Sequence, residues 1–212
     1  ADVVIRMPTG AGVGAGPFHS QSNEAWFSHT PGLKVLYPSN PEDAKGLMLA
    51  AIEDPNPVMI FEHKALYRSL TGLVPENYYV TPLGKAKLVE KGNELSIITY
   101  GMGVHWAEKA VKEKNISADI LDLRTLLPLD KDSMFESVKK TNKVLVVHED
   151  CLTGGIGGEI SSLINENCFE YLDAPIVRCA SMDTPVPFAS DLEDQFLANK
   201  NLNKKIDYLI NY

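Results

Sequence analysis

Apolar residues in this chain follow two rhythms. Compact β-branched runs at Val3–Met7, Lys34–Tyr37, Val58–Glu62, Lys87–Glu90, Leu95–Tyr100, Ala118–Leu123, Val144–His148 and Ile176–Cys179 predict strands. Between them lie stretches with helical spacing. Leu47, Met48, Ala51 and Ile52 share one helix face, and the start of that helix is marked. Ser39 or Asn40 can cap it, Pro41 takes its first position, and Glu42 and Asp43 complement the dipole in its first turn. Glu53-Asp54-Pro55-Asn56-Pro57 ends it. Further helices are predicted at Asn23–Ser28, His105–Lys114, Lys131–Lys140, Glu159–Asn165 and Leu202–Tyr212. The turn Lys91-Gly92-Asn93 suits a hairpin between its flanking strands.

Strands alternating with helices define an α/β protein with mostly parallel sheets covered on both faces. Leu70–Pro82 carries Gly72, Pro75 and Pro82 and no periodic pattern, so it reads as a connection. The expected organisation is a partial α/β domain over residues 1–75, a linker over 76–82, and a complete doubly wound domain over 83–212. The first part is short for its type and the chain starts without Met, so a fragment is expected.

Composition narrows the classes. The 212 residues are 44% hydrophobic with a net charge of -8, which speaks against a nucleic-acid surface and against a polybasic membrane contact. No stretch approaches the ~20 apolar residues of a membrane span, and no secretory signal is visible. Cys151, Cys168 and Cys179 are odd in number and fit no zinc template, so reduced thiols in a cytosol-like compartment are expected.

Candidate chemistry starts with Gly16-Pro17-Phe18-His19-Ser20-Gln21-Ser22, which sets an imidazole on a loop. Ser20 and Gln21 read as shaping that loop, and His29, in the same region, reads as structural rather than as lining the site. The preceding TGAGVGAG lacks the helix that a dinucleotide fingerprint requires directly after it. Its glycines are expected to let the backbone turn tightly against a partner chain. Asp54 and Asn56 follow a helix C-terminus, where oxygen donors suit a hard cation or simply make a turn. Gly154-Gly155-Ile156-Gly157-Gly158-Glu159 reads as close loop–helix packing rather than an anion site. Glu149 and Asp150 sit at a strand's carboxyl end, where ligands of α/β sheets bind. His63, His105 and the cysteines read as structural.

The words VVIRMP, GPFHSQSNEAWFSHTPGLKV, PSNPEDAKGL, IEDPNPVMIFEHKALYR, DLRTLLPLD, VVHED and GGIGGEI carry a family resemblance over nearly the whole chain. It resembles the β subunit of the thiamine-diphosphate-dependent decarboxylating component of 2-oxo acid dehydrogenase complexes. HSQSxEAxF and FExKxLYR look more like the branched-chain enzyme, 2-oxoisovalerate dehydrogenase, than the pyruvate enzyme. The resemblance implies the later part of a transketolase-like pyrimidine-binding domain followed by a transketolase C-terminal domain. It implies oxidative decarboxylation of a 2-oxo acid, with His19 assisting acyl transfer to a lipoyl domain. It also implies a structural potassium ion near Ala51, Asp54 and Asn56, with the backbone at Val4 close by. Thiamine diphosphate and magnesium would be held mostly by regions outside this chain: the activating glutamate lies upstream, and the GDG…N motif belongs to the α subunit. The implied partners are an α subunit, a second copy of the chain and a lipoyl acyltransferase core. The implied compartment is the cytoplasm, or the mitochondrial matrix in a eukaryote. The rival readings are a pyruvate or acetoin enzyme and a non-catalytic assembly module.

Overall fold

In the computed structural model, which describes residues 1–212, the β-branched runs gather into two sheets. Val4–Thr9 (β1), Lys34–Leu36 (β2), Val58–His63 (β3) and Thr125–Leu127 (β7) make the first, in the order β1-β3-β2-β7. β1 and β2 flank β3 in parallel, both meeting it at Val58, through Val4 and Lys34. β7 comes from the second half of the chain and pairs antiparallel with β2. Lys87–Glu90 (β4), Leu95–Thr99 (β5), Ala118–Asp122 (β6), Val144–Cys151 (β8) and Val177–Ser181 (β9) make the second, in the order β4-β6-β5-β8-β9. It is parallel except for β4.

Helices Met102–Lys114 (α5) and Asn199–Ile210 (α9) cover one face of the second sheet, and Lys131–Thr141 (α6) and Gly157–Cys168 (α7) the other. The two-residue period of the strands divides the core between these faces. Ile97, Ile120, Leu145 and Val147 pack with Val104, Ala107, Leu202 and Ile206. Ile98, Leu121, Val144 and Val146 pack with Met134, Val138, Ile160 and Ile164. The latter cluster continues into Val35, Tyr37, Met59 and Phe61 of the first sheet, so one core spans both halves.

Pro41–Glu53 (α3) starts as the sequence dictates: the Asn40 side chain accepts the Asp43 N–H at 2.8 Å. The predicted hairpin does not form, because β4 pairs with β6. β5 has both edges occupied, by β6 and β8, and the 91–93 turn bonds to the lead-in of β6 instead. The Gly92 N–H donates to Asp119 Oδ1 at 2.9 Å, and the Asn93 and Glu94 N–H groups donate to the Ser117 carbonyl. Residues 70–82 carry no regular element, yet they are tied to α3: Lys45 Nζ reaches the Pro75, Glu76 and Asn77 carbonyls, and the Tyr79 hydroxyl donates to the Glu42 carbonyl at 2.8 Å. Three short helices, Gly16–His19 (α1), Leu66–Ser69 (α4) and Ser190–Phe196 (α8), and strand β7 have no counterpart in the sequence reading. Glu24–Ser28 (α2) lies where a short helix was expected.

The Asp122-Leu123-Arg124 word fastens the halves together. Ser39 Oγ donates to Asp122 Oδ2 at 2.5 Å, and Arg124 donates to Asp43 Oδ1 at 2.9 Å and to the Lys85 carbonyl. No helix is long and apolar enough to cross a membrane.

Candidate functional site

Tertiary folding brings the His19 loop against the second half of the chain. In the second sheet the order reverses between β5 and β8, so the connections diverge there and leave a crevice at the strands' carboxyl ends. Glu24 of α2 is inserted at that point. Its side chain is fully buried and accepts a 2.7 Å hydrogen bond from the Tyr100 hydroxyl, just after β5. Burial, then the nearby Asp150, push the Glu24 carboxyl up to about 8 despite the Tyr100 bond. Burial likewise raises Asp150, at the end of β8, to about 6.

His19 ends α1, whose Pro17 sits in the first turn where its missing N–H costs nothing. The imidazole is exposed and lines a cleft of 1020 Å³ with Phe61, Lys64, Tyr67 and Arg68. Burial lowers the Lys64 ammonium and raises the Tyr67 hydroxyl to about 12, the latter reinforced by its hydrogen bond to Glu62. Arg6 grips Glu62 in a fork, Nε to Oε1 at 2.6 Å and Nη2 to Oε2 at 2.7 Å, and so braces this wall. His29 lies in a neighbouring cavity of 790 Å³ with Trp26, Glu149, Asp150 and Asp183, and Gln21 and Asn23 line both spaces. Ser20 is buried, and the Gln21 carbonyl accepts from Thr9 Oγ1 at the neck of the loop.

The glycine-rich segment meets its own chain. Gly12 and Gly14 N–H groups donate to the Glu193 carboxylate at 2.9 Å each, so these amides are committed to an internal anion rather than a phosphate. Gly16, at φ +59, has no room for a side chain, because the Phe188 ring lies 2.4 Å from where its Cβ would stand. In the GGIGGE word, Gly155 and Gly157 pack against the buried His148 imidazole, where added Cβ atoms would come within 2.6 and 2.5 Å. The close packing there is therefore of the loop and the start of α7 against strand β8, rather than between loop and helix.

Ala51, Asp54 and Asn56 come together at the α3–β3 turn. The Ala51 carbonyl accepts the Asp54 N–H at 3.3 Å. Asp54 Oδ1 accepts from Asn56 N and Nδ2 at 3.0 and 2.9 Å, and Oδ2 takes the Lys34 ammonium. The Asp54 carboxylate is thereby engaged by Asn56 and by the Lys34 ammonium. No group of three or more His, Cys, Asp or Glu side chains is placed to hold a metal. The three cysteines are unpaired, with Cys168 and Cys179 buried.

Sequence reasoning read His63 as structural and missed what it joins. Its Nε2 lies 2.6 Å from Glu149 Oε2 across the two halves, and both groups are buried. The adjacency depends on the end of β3 meeting the end of β8, and no spacing in the sequence encodes it. His105 bonds through Nε2 to the Ser39 carbonyl at 2.7 Å.

Two family models match this chain. The transketolase pyrimidine-binding domain matches residues 1–69 and the transketolase C-terminal domain residues 84–201. The chain is 47% identical over 201 residues to the 2-oxoisovalerate dehydrogenase subunit beta of Bacillus subtilis, covering 93% of this chain and 62% of that protein. It is 45% identical over 198 residues to the acetoin:2,6-dichlorophenolindophenol oxidoreductase subunit beta of the same organism, covering 92% and 58%. A pyruvate dehydrogenase E1 component subunit beta from Rhizobium meliloti is 41% identical over 202 residues, covering 94% and 44%. The chain thus spans about half of the length of the curated relatives it matches. A solved structure described as a split-gene transketolase, inactive beta4 tetramer, superposes with a TM-score of 0.78 at 21% identity, covering 99% of this chain and 66% of that one. The mixed sheets, the shared core and these matches agree: the chain belongs to the transketolase family, through its pyrimidine-binding and C-terminal domains.

Proposed function

We propose that this chain is the later part of the β half of a 2-oxo acid dehydrogenase decarboxylating component that acts on branched-chain 2-oxo acids. The observation that carries the reading is His19, exposed at the end of α1 on a cleft walled by Lys64, Tyr67 and Arg68. The similarity to 2-oxoisovalerate dehydrogenase subunits supports the substrate class. The reaction is oxidative decarboxylation, with the acyl group passed to a lipoyl domain. Thiamine diphosphate, which this reading would place with magnesium at the junction with an α subunit, would supply the decarboxylation chemistry. The Gly12 and Gly14 amides of the glycine-rich loop are taken by Glu193 and are not offered to a diphosphate in this arrangement.

His19 works on the acceptor. When one lipoyl sulfur takes the acyl group, the disulfide breaks and the other sulfur leaves with the electron pair. The His19 imidazole supplies the proton that sulfur needs. Lys64 and Arg68 give the cleft a positive wall for anionic groups entering it. An α subunit, a second copy and a lipoyl acyltransferase core complete the proposed assembly. The proposed compartment is the cytoplasm, or the mitochondrial matrix in a eukaryote.

The test uses the full-length parent assembled with its α partner. His19→Ala is expected to slow acyl transfer to a lipoyl domain by about a hundredfold, the usual scale of one acid–base group. Decarboxylation measured with an artificial electron acceptor should persist. Equal loss in both assays excludes the acyl-transfer role. The acetoin relative at 45% identity keeps one second reading open, acetoin or pyruvate in place of branched-chain acids. Relative kcat/KM for the three substrates decides it. Wild-type assembly inactive toward all three would leave the assembly module.

A further inference from the structure

We propose that Glu149 and Glu193, both in the second half of the chain, are positioning residues that set the place of His19. The segment from Gly10 to Ser22 leaves β1, carries α1 and returns to α2 as a loop with a closed neck. Glu149 holds that neck. One oxygen, Oε1, accepts the Ala11 N–H at 2.6 Å and the Ser22 hydroxyl at 3.3 Å, so a single atom ties the start of the loop to its end. The other, Oε2, lies 2.6 Å from His63 Nε2, which anchors the carboxylate to the end of β3.

Glu193 holds the outgoing limb. Its Oε1 accepts the Gly12 N–H at 2.9 Å and the Val13 N–H at 3.4 Å, and its Oε2 accepts the Gly14 N–H at 2.9 Å. Three successive amides curled around one carboxylate form a concave anion nest. The occupant is a side chain of α8 that is only 4% exposed, so the carboxylate is held in place by its own surroundings while it makes charge-assisted bonds to the exposed loop. Phe188, just before α8, covers Gly16 and packs in a tilted pair with Phe18, the residue before His19, with ring centroids 6.1 Å apart. Every tether between Ala11 and Phe18 named above therefore comes from β8 or from the 188–193 segment. His19 itself is exposed at the end of a four-residue helix, too short to hold its own place. Its position is inherited from carboxylates 138 and 179 to 181 residues away from the amides they bind.

The catalytic consequence rests on the reading of His19 given above; the holding of the loop does not. Two sets of measurements keep them apart. On this chain, backbone amide exchange at Gly12–Gly14 and the His19 imidazole resonances are followed by NMR in wild type, Glu193→Gln and Glu193→Asp. Losing a charged acceptor for three amides should speed their exchange about tenfold or more. The His19 resonances should shift, while amides of β5 and β8 and the urea midpoint hold. Glu193→Asp, which restores the carboxylate, should recover part of the protection. Unchanged exchange and unchanged His19 resonances in Glu193→Gln overturn the proposal. If the variants fail to fold, through-hydrogen-bond couplings from Gly12 and Gly14 amides to the Glu193 carboxyl in wild type decide, and their absence also overturns it.

In the assembled parent enzyme, Glu193→Gln should lower lipoyl-dependent turnover about tenfold and spare the artificial-acceptor rate. A brace without a positioning role would depress both rates alike, which overturns the proposal. If His19→Ala slows acyl transfer but Glu193→Gln does not, the proposal fails while the function stands. If Glu193→Gln loosens the loop and His19→Ala leaves acyl transfer intact, the function fails while the positioning stands.

Discussion

Glu24 lies in the first turn of a short helix, where an acid ordinarily faces water and complements the dipole. In the fold it is fully buried, and burial together with Asp150 raises its carboxyl from 4.5 to about 8. The unfolded chain gives up this proton near pH 4.5 and the native state holds it to about 8, so stability is full below 4.5 and declines as pH rises between the two. His148 acts in the opposite sense. Burial lowers it from 6.5 to about 4, so its contribution is present above 6.5 and is lost as pH falls. Between pH 4.5 and 6.5 these two slopes oppose each other; from 6.5 to 8 the fall due to Glu24 remains, with Asp122, which burial raises to about 7, adding to it at the lower end. Over that interval Glu24 alone should lower stability by about 2 kcal/mol, at about 1.4 kcal/mol per pH unit. Urea unfolding at both ends of the interval checks this, and Glu24→Gln should remove most of the slope. At this scale the exposed placement of His19 was legible, because a histidine between turn residues stands out of its context. The burial of Glu24 was not, since the helix that carries it is ordinary and only its neighbours in space make it unusual.

Among the elements, α3 was read correctly from its cap to its end because its signals are local: Asn40, Pro41 and the closing Asp-Pro-Asn-Pro act within a turn of themselves. The start of α5 shows where local signals stop. The periodic pattern begins at His105, but the helix begins at Met102, behind Gly101 at φ +54. A side chain on Gly101 would meet the Tyr37 ring at 2.7 Å, so a residue of the first half sets this boundary. The hairpin failed for a related reason, since strand pairing depends on which edges are free and not on which strands are neighbours in sequence. Gly46 gives the clearest test of an element contact. It sits inside α3 where an added Cβ would come 2.2 Å from Thr81 Oγ1 and 2.8 Å from the Tyr79 ring. Gly46→Ala should therefore destabilise by about 1–3 kcal/mol through overpacking, against a helix-propensity gain of about 1 kcal/mol. Adding Thr81→Ala should restore part of the loss, and a double-mutant cycle of urea midpoints measures the coupling.

For the whole molecule, the shared core and strand β7 predict that the two halves unfold together. Residues 1–82 alone lose β7 and the apolar partners of Tyr37, Met59 and Phe61, and should show no cooperative urea transition by circular dichroism. Residues 83–212 keep a complete five-stranded sheet and should fold with a lower midpoint than the full chain. The sequence by itself determined every strand but β7, the long helices, the α/β class and the candidate histidine. Those follow from two periodicities, from capping chemistry and from words of local residues, all of which act over a few positions of chain. Only the tertiary structure decided that β7 completes the first sheet, that the glycine-rich amides close on Glu193, and that Glu24 loses its water. Each of these joins groups far apart in the chain, and such contacts form only when burying one continuous core offsets the entropy of closing the long loops between them.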